Sequence, residues 1–114
     1  VIAPSNPYTS IHPILAVGGI RDAVAARSAR TIAVSPLVGG RAVKGPLDRM
    51  LTRMAGGTSP AHVAQCYEDL VGALVIDRAD APAAAGVSLV VTDTLMTDRG
   101  AARRLAEIVL EAVA

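Results

Sequence analysis

The sequence predicts an α/β domain in which helices cover both faces of a mainly parallel sheet. Three short runs of aliphatic and β-branched residues, at 31–34, 73–76 and 87–91, alternate with segments of helical periodicity. The runs are almost continuously apolar, which is typical of parallel strands that are buried on both faces. Because the chain has 114 residues, we expect a single unit over residues 1–114 with a Rossmann-like three-layer arrangement.

The first third of the chain alternates apolar runs with turn residues. Residues 1–3 are predicted to end a buried strand, and the turn Pro4-Ser5-Asn6-Pro7 follows. Residues 8–15 are predicted to form a short helical turn that Pro13 interrupts, and residues 20–27 a helix. Because the chain opens on an apolar run without an initiator Met, we expect it to be a fragment of a larger chain.

The middle of the chain carries a glycine-rich segment and two helices. Residues 35–45 are predicted to form a long loop. An amphipathic helix follows, indicated by apolar residues at positions i, i+3, i+4 and i+7, namely Leu47, Met50, Leu51 and Met54. Ser59 and Pro60 start a second helix as its N-cap and its first position. The residues that this helix is predicted to bury are Val63, Tyr67 and Leu70 or Val71.

The last third of the chain contains a short connection and a final helix. Residues 77–86 are about as long as the shortest crossover between parallel strands, and we expect one helical turn within them. Thr97 or Asp98 is predicted to cap the final helix. The inward-facing residues of that helix are predicted to be Leu105, Ile108, Val109 and Ala112.

The composition excludes several classes of protein. The formal net charge is +1 and aromatic residues make up 2% of the chain, so we expect no nucleic-acid binding. The single cysteine, Cys66, excludes an internal disulfide framework and a cysteine-based zinc site. The low cysteine content favours a cytoplasmic protein. The chain lacks a long uninterrupted apolar stretch, so we expect no membrane span.

Three loops follow strands at the edge of the sheet where ligands bind in open α/β folds. The first, residues 4–11, offers hydroxyl, amide and backbone N–H groups to a phosphate or a ribityl chain. In the second, residues 35–45, glycines would let the backbone approach a phosphate that Arg41 or Lys44 could pair with. In the third, residues 92–98, Asp93 could contact a metal or a hydroxyl. Taken singly, the first loop is better explained by a structural turn, the second by a flexible loop, and the third by the capping of the next helix by Asp98.

The remaining polar residues do not form a recognisable catalytic constellation. His62 and Cys66 share one helix face at i, i+4, but the sequence provides no third metal ligand near them. No Gly-x-Ser-x-Gly nucleophile elbow occurs, and neither histidine has an oriented partner. We therefore assign no catalytic residue and no metal ligand within this chain.

Several motifs occur in order along the whole chain. They are Ser5-Asn6-Pro7-x-x-Ser10-Ile11-x-Pro13-Ile14-Leu15-Ala16-Val17-x-Gly19-Ile20-Arg21, Ser35-Pro36-x-Val38-Gly39-Gly40, Lys44-Gly45-Pro46, Ser59-x-x-x-Val63-Ala64-x-x-Tyr67, Val75-Ile76-Asp77-x-x-Asp80 and Thr94-Leu95-Met96. With this spacing the sequence resembles the C-terminal third of the 2-phospho-L-lactate transferase family (CofD). Gly18 departs from that pattern, because family members usually carry proline there.

The resemblance implies an enzyme of coenzyme F(420) biosynthesis. The full-length protein would transfer a phospholactyl or phosphoenolpyruvyl group from a guanosine-diphosphate-linked donor to the ribityl hydroxyl of a deazaflavin (Fo), with release of GMP. It would use Mg²⁺ whose ligands lie outside this chain, and it would act as a homodimer. This chain alone would be inactive.

The resemblance also implies a set of substrate-binding residues. Ser5, Asn6, Pro7 and Ser10 would form one part of the site, with the polar side chains bonded to phosphate or ribityl oxygens. Gly39 and Gly40 would let the backbone approach a substrate. The alternative is a nucleotide-sugar-binding regulator of the gluconeogenesis-factor type, which is not an enzyme and has a similar Ser-Ile loop.

Overall fold

A parallel sheet forms the centre of the molecule. The computed structural model describes residues 1–113. The strands are β1 (Ile32–Val34), β2 (Leu37–Val38), β3 (Arg41–Ala42), β4 (Ala73–Asp77) and β5 (Ser88–Thr92). The first, fourth and fifth pair in parallel in the order β1-β4-β5, with Ala73 opposite both Ile32 and Ser88. The predicted parallel sheet is therefore confirmed.

The chain start extends this sheet by one bridge. Ile2 pairs in parallel with Ala33. Its N–H donates to the Ile32 carbonyl at 2.8 Å, and its carbonyl accepts from the Val34 N–H at 3.0 Å. The strand predicted over residues 1–3 is present as this bridge, so the turn after it lies at the same sheet edge as the loop after β1.

Helices cover both faces of the sheet. They are α1 (His12–Leu15), α2 (Ile20–Ala25), α3 (Leu47–Ala55), α4 (Pro60–Gln65) and α5 (Arg99–Val113). On one face, Leu74 and Ile76 of β4 pack in a core that includes Leu15, Leu51 and Val63 from the helices. On the opposite face, the core consists of Ile32, Val34, Val75, Leu105 and Val109. The predicted three-layer α/β arrangement is confirmed.

Pro13 does not interrupt the first helical segment, contrary to the prediction. A π-helical turn, Pro7–Ile11, leads directly into α1. Asn6 caps this turn, since its Oδ1 accepts the N–H groups of Tyr8 at 2.9 Å and Thr9 at 3.3 Å. Pro13 is the second residue of α1, directly after the π-helical turn, and the helical backbone continues past it to Leu15.

The segment at residues 35–45 is not a simple loop, which corrects the prediction. β2 and β3 form a small antiparallel hairpin, with Leu37 opposite Ala42 and Val38 opposite Arg41. Gly39 and Gly40 connect them with φ of 61° and 73°. Two consecutive positive φ values are what a tight two-residue hairpin turn requires, and glycine adopts them without strain.

The first of the two middle helices begins and ends as predicted, whereas the second is shorter than predicted. α4 begins at Pro60 but ends at Gln65, so Tyr67 and Leu70 are buried in the turns that follow it rather than on the helix. Leu51 of α3 is fully buried, whereas Met54 is 62% exposed, so the apolar face is one position shorter than predicted. Gly56 ends α3 with φ of 92°. At the start of α4, the Ser59 N–H donates to His62 Nδ1 at 3.2 Å, which completes a capping box.

The last elements also follow the predicted order. A 3₁₀ turn, Arg78–Asp80, lies in the crossover between the parallel strands β4 and β5. Asp98 caps α5, because its Oδ1 accepts the Ala101 N–H at 2.7 Å. Ala112 is exposed rather than inward-facing, contrary to the prediction. Within residues 1–113, no helix has the length and apolar character needed to cross a membrane.

Candidate functional site

A cavity of about 480 Å³ lies at the carboxyl edge of the sheet. The three loops predicted for this edge, after Ile2, after β1 and after β5, all contribute to its walls. The lining residues are Pro4, Ser5, Asn6, Thr9, Ser10, Ser35, Pro36, Val38, Ala42, Val43, Lys44, Gly45, Pro46, Leu47, Thr94, Leu95 and Met96. The structure therefore brings together segments that are up to about ninety residues apart in sequence, as the carboxyl-end rule for parallel sheets leads one to expect.

The first wall is the turn that contains Ser5, Asn6 and Ser10, all of which line the cavity. The side-chain oxygen of Asn6, Oδ1, caps the helical turn, and the side-chain Nδ2 donates to the Met50 sulfur at 3.4 Å. Thioether sulfur is a weak acceptor, so the amide N–H₂ can be redirected to a stronger one. Pro7 is buried outside the lining, where it fixes the start of the helical turn rather than contacting the cavity.

The second wall is the hairpin of β2 and β3 with the segment after it. Val38 and Ala42 line the cavity from the hairpin, and Lys44 lines it from the following segment. Gly39 and Gly40, predicted to approach a substrate, lie outside the lining. Their N–H groups donate to the two carboxylate oxygens of Asp80, at 3.2 Å and 2.7 Å. Both glycines therefore serve the hairpin turn. Because their N–H groups already donate to Asp80, these groups do not point to a ligand in this cavity.

The third wall is formed by the loop after β5. Thr94, Leu95 and Met96 line the cavity there. Thr94 is buried, and both its N–H and its Oγ1 donate to Asp77 Oδ2, at 2.9 Å and 3.2 Å. Asp93 lies outside the lining, on the surface, where its carboxylate is 3.2 Å from Arg78 Nε.

Asp77 is a buried carboxylate that the fold keeps ionised. Burial raises the pKa of Asp77, but hydrogen bonds from the Ala79 N–H and from Thr94, together with the Arg78 charge, outweigh burial and lower that pKa below its ordinary value. The Ala79 N–H donates to Asp77 Oδ1 at 3.0 Å. The wall at Thr94 therefore rests on an acceptor that is charged at neutral pH.

The charge of the cavity favours an anion. Lys44 is the one charged side chain in its lining within the described range, and the other polar groups are hydroxyls and one amide. Within residues 1–113, no group of three His, Cys, Asp or Glu residues is placed to hold a metal ion. Among the residues that the structure describes, the lining of the cavity also contains no carboxylate, so it offers no carboxylate ligand to Mg²⁺. The lining, with its hydroxyls, one amide and one ammonium group, matches an anionic or polyhydroxyl ligand.

His62 and Cys66 have structural contacts instead of forming a metal pair. His62 Nδ1 lies 2.7 Å from the Ser59 hydroxyl oxygen, within the capping box of α4. The Cys66 thiol donates to the Tyr8 hydroxyl oxygen at 3.6 Å. Burial raises the pKa of the Cys66 thiol, so the reactive thiolate is disfavoured. Burial and the neighbouring Cys66 also raise the pKa of Tyr8 to about 12.

Fold and cavity together define a Rossmann-like α/β domain with a candidate ligand site at the carboxyl ends of its strands. The family model for 2-phospho-L-lactate transferase CofD matches residues 1–108. The chain therefore belongs to the CofD family.

Curated relatives carry two related names. A 2-phospho-L-lactate transferase of Methanocaldococcus jannaschii is 34% identical over 113 residues, covering 97% of this chain and 36% of the relative. One of Halobacterium salinarum is 38% identical, covering 99% and 32%. A phosphoenolpyruvate transferase of Kitasatospora aureofaciens is 40% identical, covering 94% and 35%. The chain thus spans about a third of the length of these relatives.

The sequence prediction located the loops but missed how they are held in place. Ser5, Asn6 and Ser10 line one cavity, as their position after a strand suggested. The hydrogen bonds that Asp77 and Asp80 accept from the other two walls join residues 17 to 41 positions apart, and local sequence patterns do not reveal such contacts. A pair of carboxylates at the end of a buried strand was the available signal, since buried charges require partners.

Proposed function

We propose that the protein containing this chain transfers a phospholactyl or phosphoenolpyruvyl group from a guanosine-diphosphate-linked donor to a deazaflavin, in coenzyme F(420) biosynthesis. The names of the relatives, which divide between 2-phospho-L-lactate and phosphoenolpyruvate transferases, support the class of group transferred. The match of the family model over residues 1–108 supports the assignment of this transfer reaction to the protein that contains the chain.

The proposed reaction is a phosphoryl transfer without a covalent enzyme intermediate. The terminal ribityl oxygen of the deazaflavin forms a bond to the phosphorus atom that carries lactate or enolpyruvate. The bond from that phosphorus atom to the bridging oxygen of the diphosphate breaks, and GMP leaves with this oxygen. The hydroxyl proton passes to solvent. Such reactions depend mainly on positioning and on neutralising phosphate charge.

The observation that carries the proposal is the composition of the carboxyl-edge cavity. All three loops that form it lie within the residues that the family model matches, and together they supply hydroxyls, one amide and one ammonium group. A ribityl chain requires several neutral hydrogen-bonding partners, and a phosphate requires a cation. The cavity provides both within a volume suited to part of a nucleotide-sized ligand.

Individual residues have distinct roles in this proposal. Ser5 and Ser10 bind ribityl or phosphate oxygens through their hydroxyls. Asn6 exchanges its weak contact with the Met50 sulfur for a hydrogen bond to a ligand oxygen, while its carbonyl oxygen continues to cap the helical turn. Lys44, which has no ion pair among the described residues, neutralises phosphate charge from the rim.

The excess of arginine over lysine, as a mark of genome composition, favours one of the two donors. Ten of the eleven basic residues are arginine, and Lys44 is the only lysine, a bias typical of a GC-rich genome. The phosphoenolpyruvate transferases among the relatives come from Kitasatospora and Streptomyces. We therefore propose the enolpyruvyl donor as the natural one.

A mass-spectrometric transfer assay tests this function. The complete native protein is incubated with deazaflavin, Mg²⁺ and either the lactyl or the enolpyruvyl donor. We expect GMP to be released and the deazaflavin to gain the mass of the phospho-acid, with faster turnover of the enolpyruvyl donor. A folded protein that forms no product from either donor, yet binds a uridine nucleotide-sugar, would overturn the proposal in favour of a regulatory protein.

A further inference from the structure

We propose that Asp77 and Asp80 are positioning residues that fix two walls of the cavity relative to each other. Neither carboxylate lines the cavity, so each acts through the backbone segment that it holds. The consequence for substrate binding rests on the function proposed above, whereas the consequence for the cavity walls does not.

Asp77 holds the wall that follows β5. Its Oδ2 accepts both the N–H and the Oγ1–H of Thr94, and its Oδ1 accepts the Ala79 N–H. The carboxylate is buried, at 8% exposure. Hydrogen bonds to a buried charge are stronger than those between neutral groups, so this wall is tied firmly to the end of β4.

Asp80 holds the hairpin wall in the same manner. Its Oδ1 accepts the Gly40 N–H at 2.7 Å and its Oδ2 accepts the Gly39 N–H at 3.2 Å. Both donors lie at the tip of the hairpin whose strand residues Val38 and Ala42 line the cavity. The carboxylate therefore fixes the direction in which the hairpin leaves the sheet.

The two carboxylates lie three positions apart in sequence, at the carboxyl end of β4. Asp77 is the last residue of β4, which is paired with strands on both sides, and Asp80 ends the 3₁₀ turn that follows it. The side chain of Asp77 also caps that turn. One rigid corner of the sheet thus holds both walls, and a shift of either carboxylate changes the width of the cavity.

The chemistry requires carboxylates at both positions. Each side chain uses both of its oxygens as acceptors, and an asparagine offers only one acceptor oxygen. Asp80→Asn should therefore keep one of the two hairpin contacts, and Asp80→Ala should lose both. Asp93→Asn is the matched control, because Asp93 lies at the same sheet edge but, within residues 1–113, pairs only with Arg78 on the surface.

The experiment measures wall mobility and kinetics in the complete native protein. Amide hydrogen exchange is followed by mass spectrometry in peptides covering residues 36–46 and 92–98. We expect Asp80→Asn and Asp80→Ala to accelerate exchange in the first peptide in that order, and Asp77→Asn chiefly in the second. Asp93→Asn should leave both unchanged.

Steady-state kinetics supply the second readout. We expect the KM for deazaflavin to rise about five- to ten-fold in Asp80→Asn and further in Asp80→Ala, with kcat changed less than two-fold, since loosened walls weaken ground-state and transition-state binding alike. The melting temperature of each variant is recorded, and kinetics are compared below it.

The outcomes separate this inference from the proposed function. If wild-type protein forms no product but the exchange pattern is as expected, the cavity walls are braced as described and the assigned reaction is wrong. If Asp80→Ala exchanges in residues 36–46 like wild type, or raises KM no more than Asp93→Asn does, the positioning role is refuted.

Discussion

Replacing Asp77 with asparagine provides a test of the buried hydrogen-bond network that the structure describes. The wild-type carboxylate accepts three hydrogen bonds, from Ala79 N–H at 3.0 Å, Thr94 N–H at 2.9 Å and Thr94 Oγ1 at 3.2 Å. An asparagine retains one acceptor oxygen, and its N–H₂ group faces a donor at the other position. A hydrogen bond to a charged group contributes about 1.5–3 kcal/mol. We therefore expect the variant to lose about 2–4 kcal/mol of unfolding free energy at pH 7.

The difference between wild type and this variant should depend on pH in a defined direction. The native pKa of Asp77 lies below its ordinary value of 3.8. Its ionised form therefore contributes stability that is fully present above pH 3.8 and is lost as the pH falls through the native pKa. Asparagine does not titrate, so the gap between the two proteins should narrow in this acidic range.

Urea unfolding followed by circular dichroism at pH 7 and at acidic pH measures both effects. Asp93→Asn is the control, because an exposed ion pair contributes little to stability. A gap below about 1 kcal/mol at pH 7, comparable to that of an exposed pair, would refute the reasoning. A gap that stays constant down to the lowest pH at which wild type is folded would refute the assigned charge state.

Four further substitutions test other parts of the molecule. Tyr67→Phe should leave stability unchanged or raise it by about 1 kcal/mol in urea unfolding, since the buried hydroxyl has no partner among residues 1–113; a loss above that size would reveal an unseen partner. Leu51→Ala, at a fully buried position, should cost about 2–5 kcal/mol in the same assay, and a loss under 1 kcal/mol would place Leu51 outside the core. Gly40→Ala should lower the melting temperature because its φ is 73° and the added Cβ would lie 3.0 Å from Thr58 Oγ1; an unchanged value would contradict the turn geometry. Asn6→Ala should lower kcat/KM about ten- to a hundred-fold, and unchanged kinetics would remove Asn6 from the site.

Most of the fold could be predicted because its signals are local. The strands at the sheet centre are short apolar runs, and the helices α3 and α4 have clear start and stop residues such as Gly56 and Ser59. Pro13 was misleading because its cost depends on its position within a helical turn, which the sequence pattern does not fix. The hairpin was missed because β2 and β3 have two residues each, too few for an alternating pattern to be visible.

The candidate site was predictable in position but not in detail. The rule that ligands bind at the carboxyl ends of strands correctly grouped the loops that carry Ser10, Lys44 and Thr94. The glycines at the hairpin tip were predicted to let the backbone approach a substrate, because glycine-rich loops often contact phosphates. Their N–H groups instead bond to Asp80, which lies about forty residues later, and a contact of that separation is decided by tertiary structure.

The proposed function requires the three carboxyl-edge loops of this chain to form the binding site for the deazaflavin. A crystal structure of the complete native protein with bound deazaflavin tests it most directly. We expect density for the ribityl chain between the turn that contains Ser5 and Ser10 and the segment that contains Lys44, with the Asn6 amide turned away from Met50. Deazaflavin bound elsewhere in the protein, with this cavity empty, would contradict the claim.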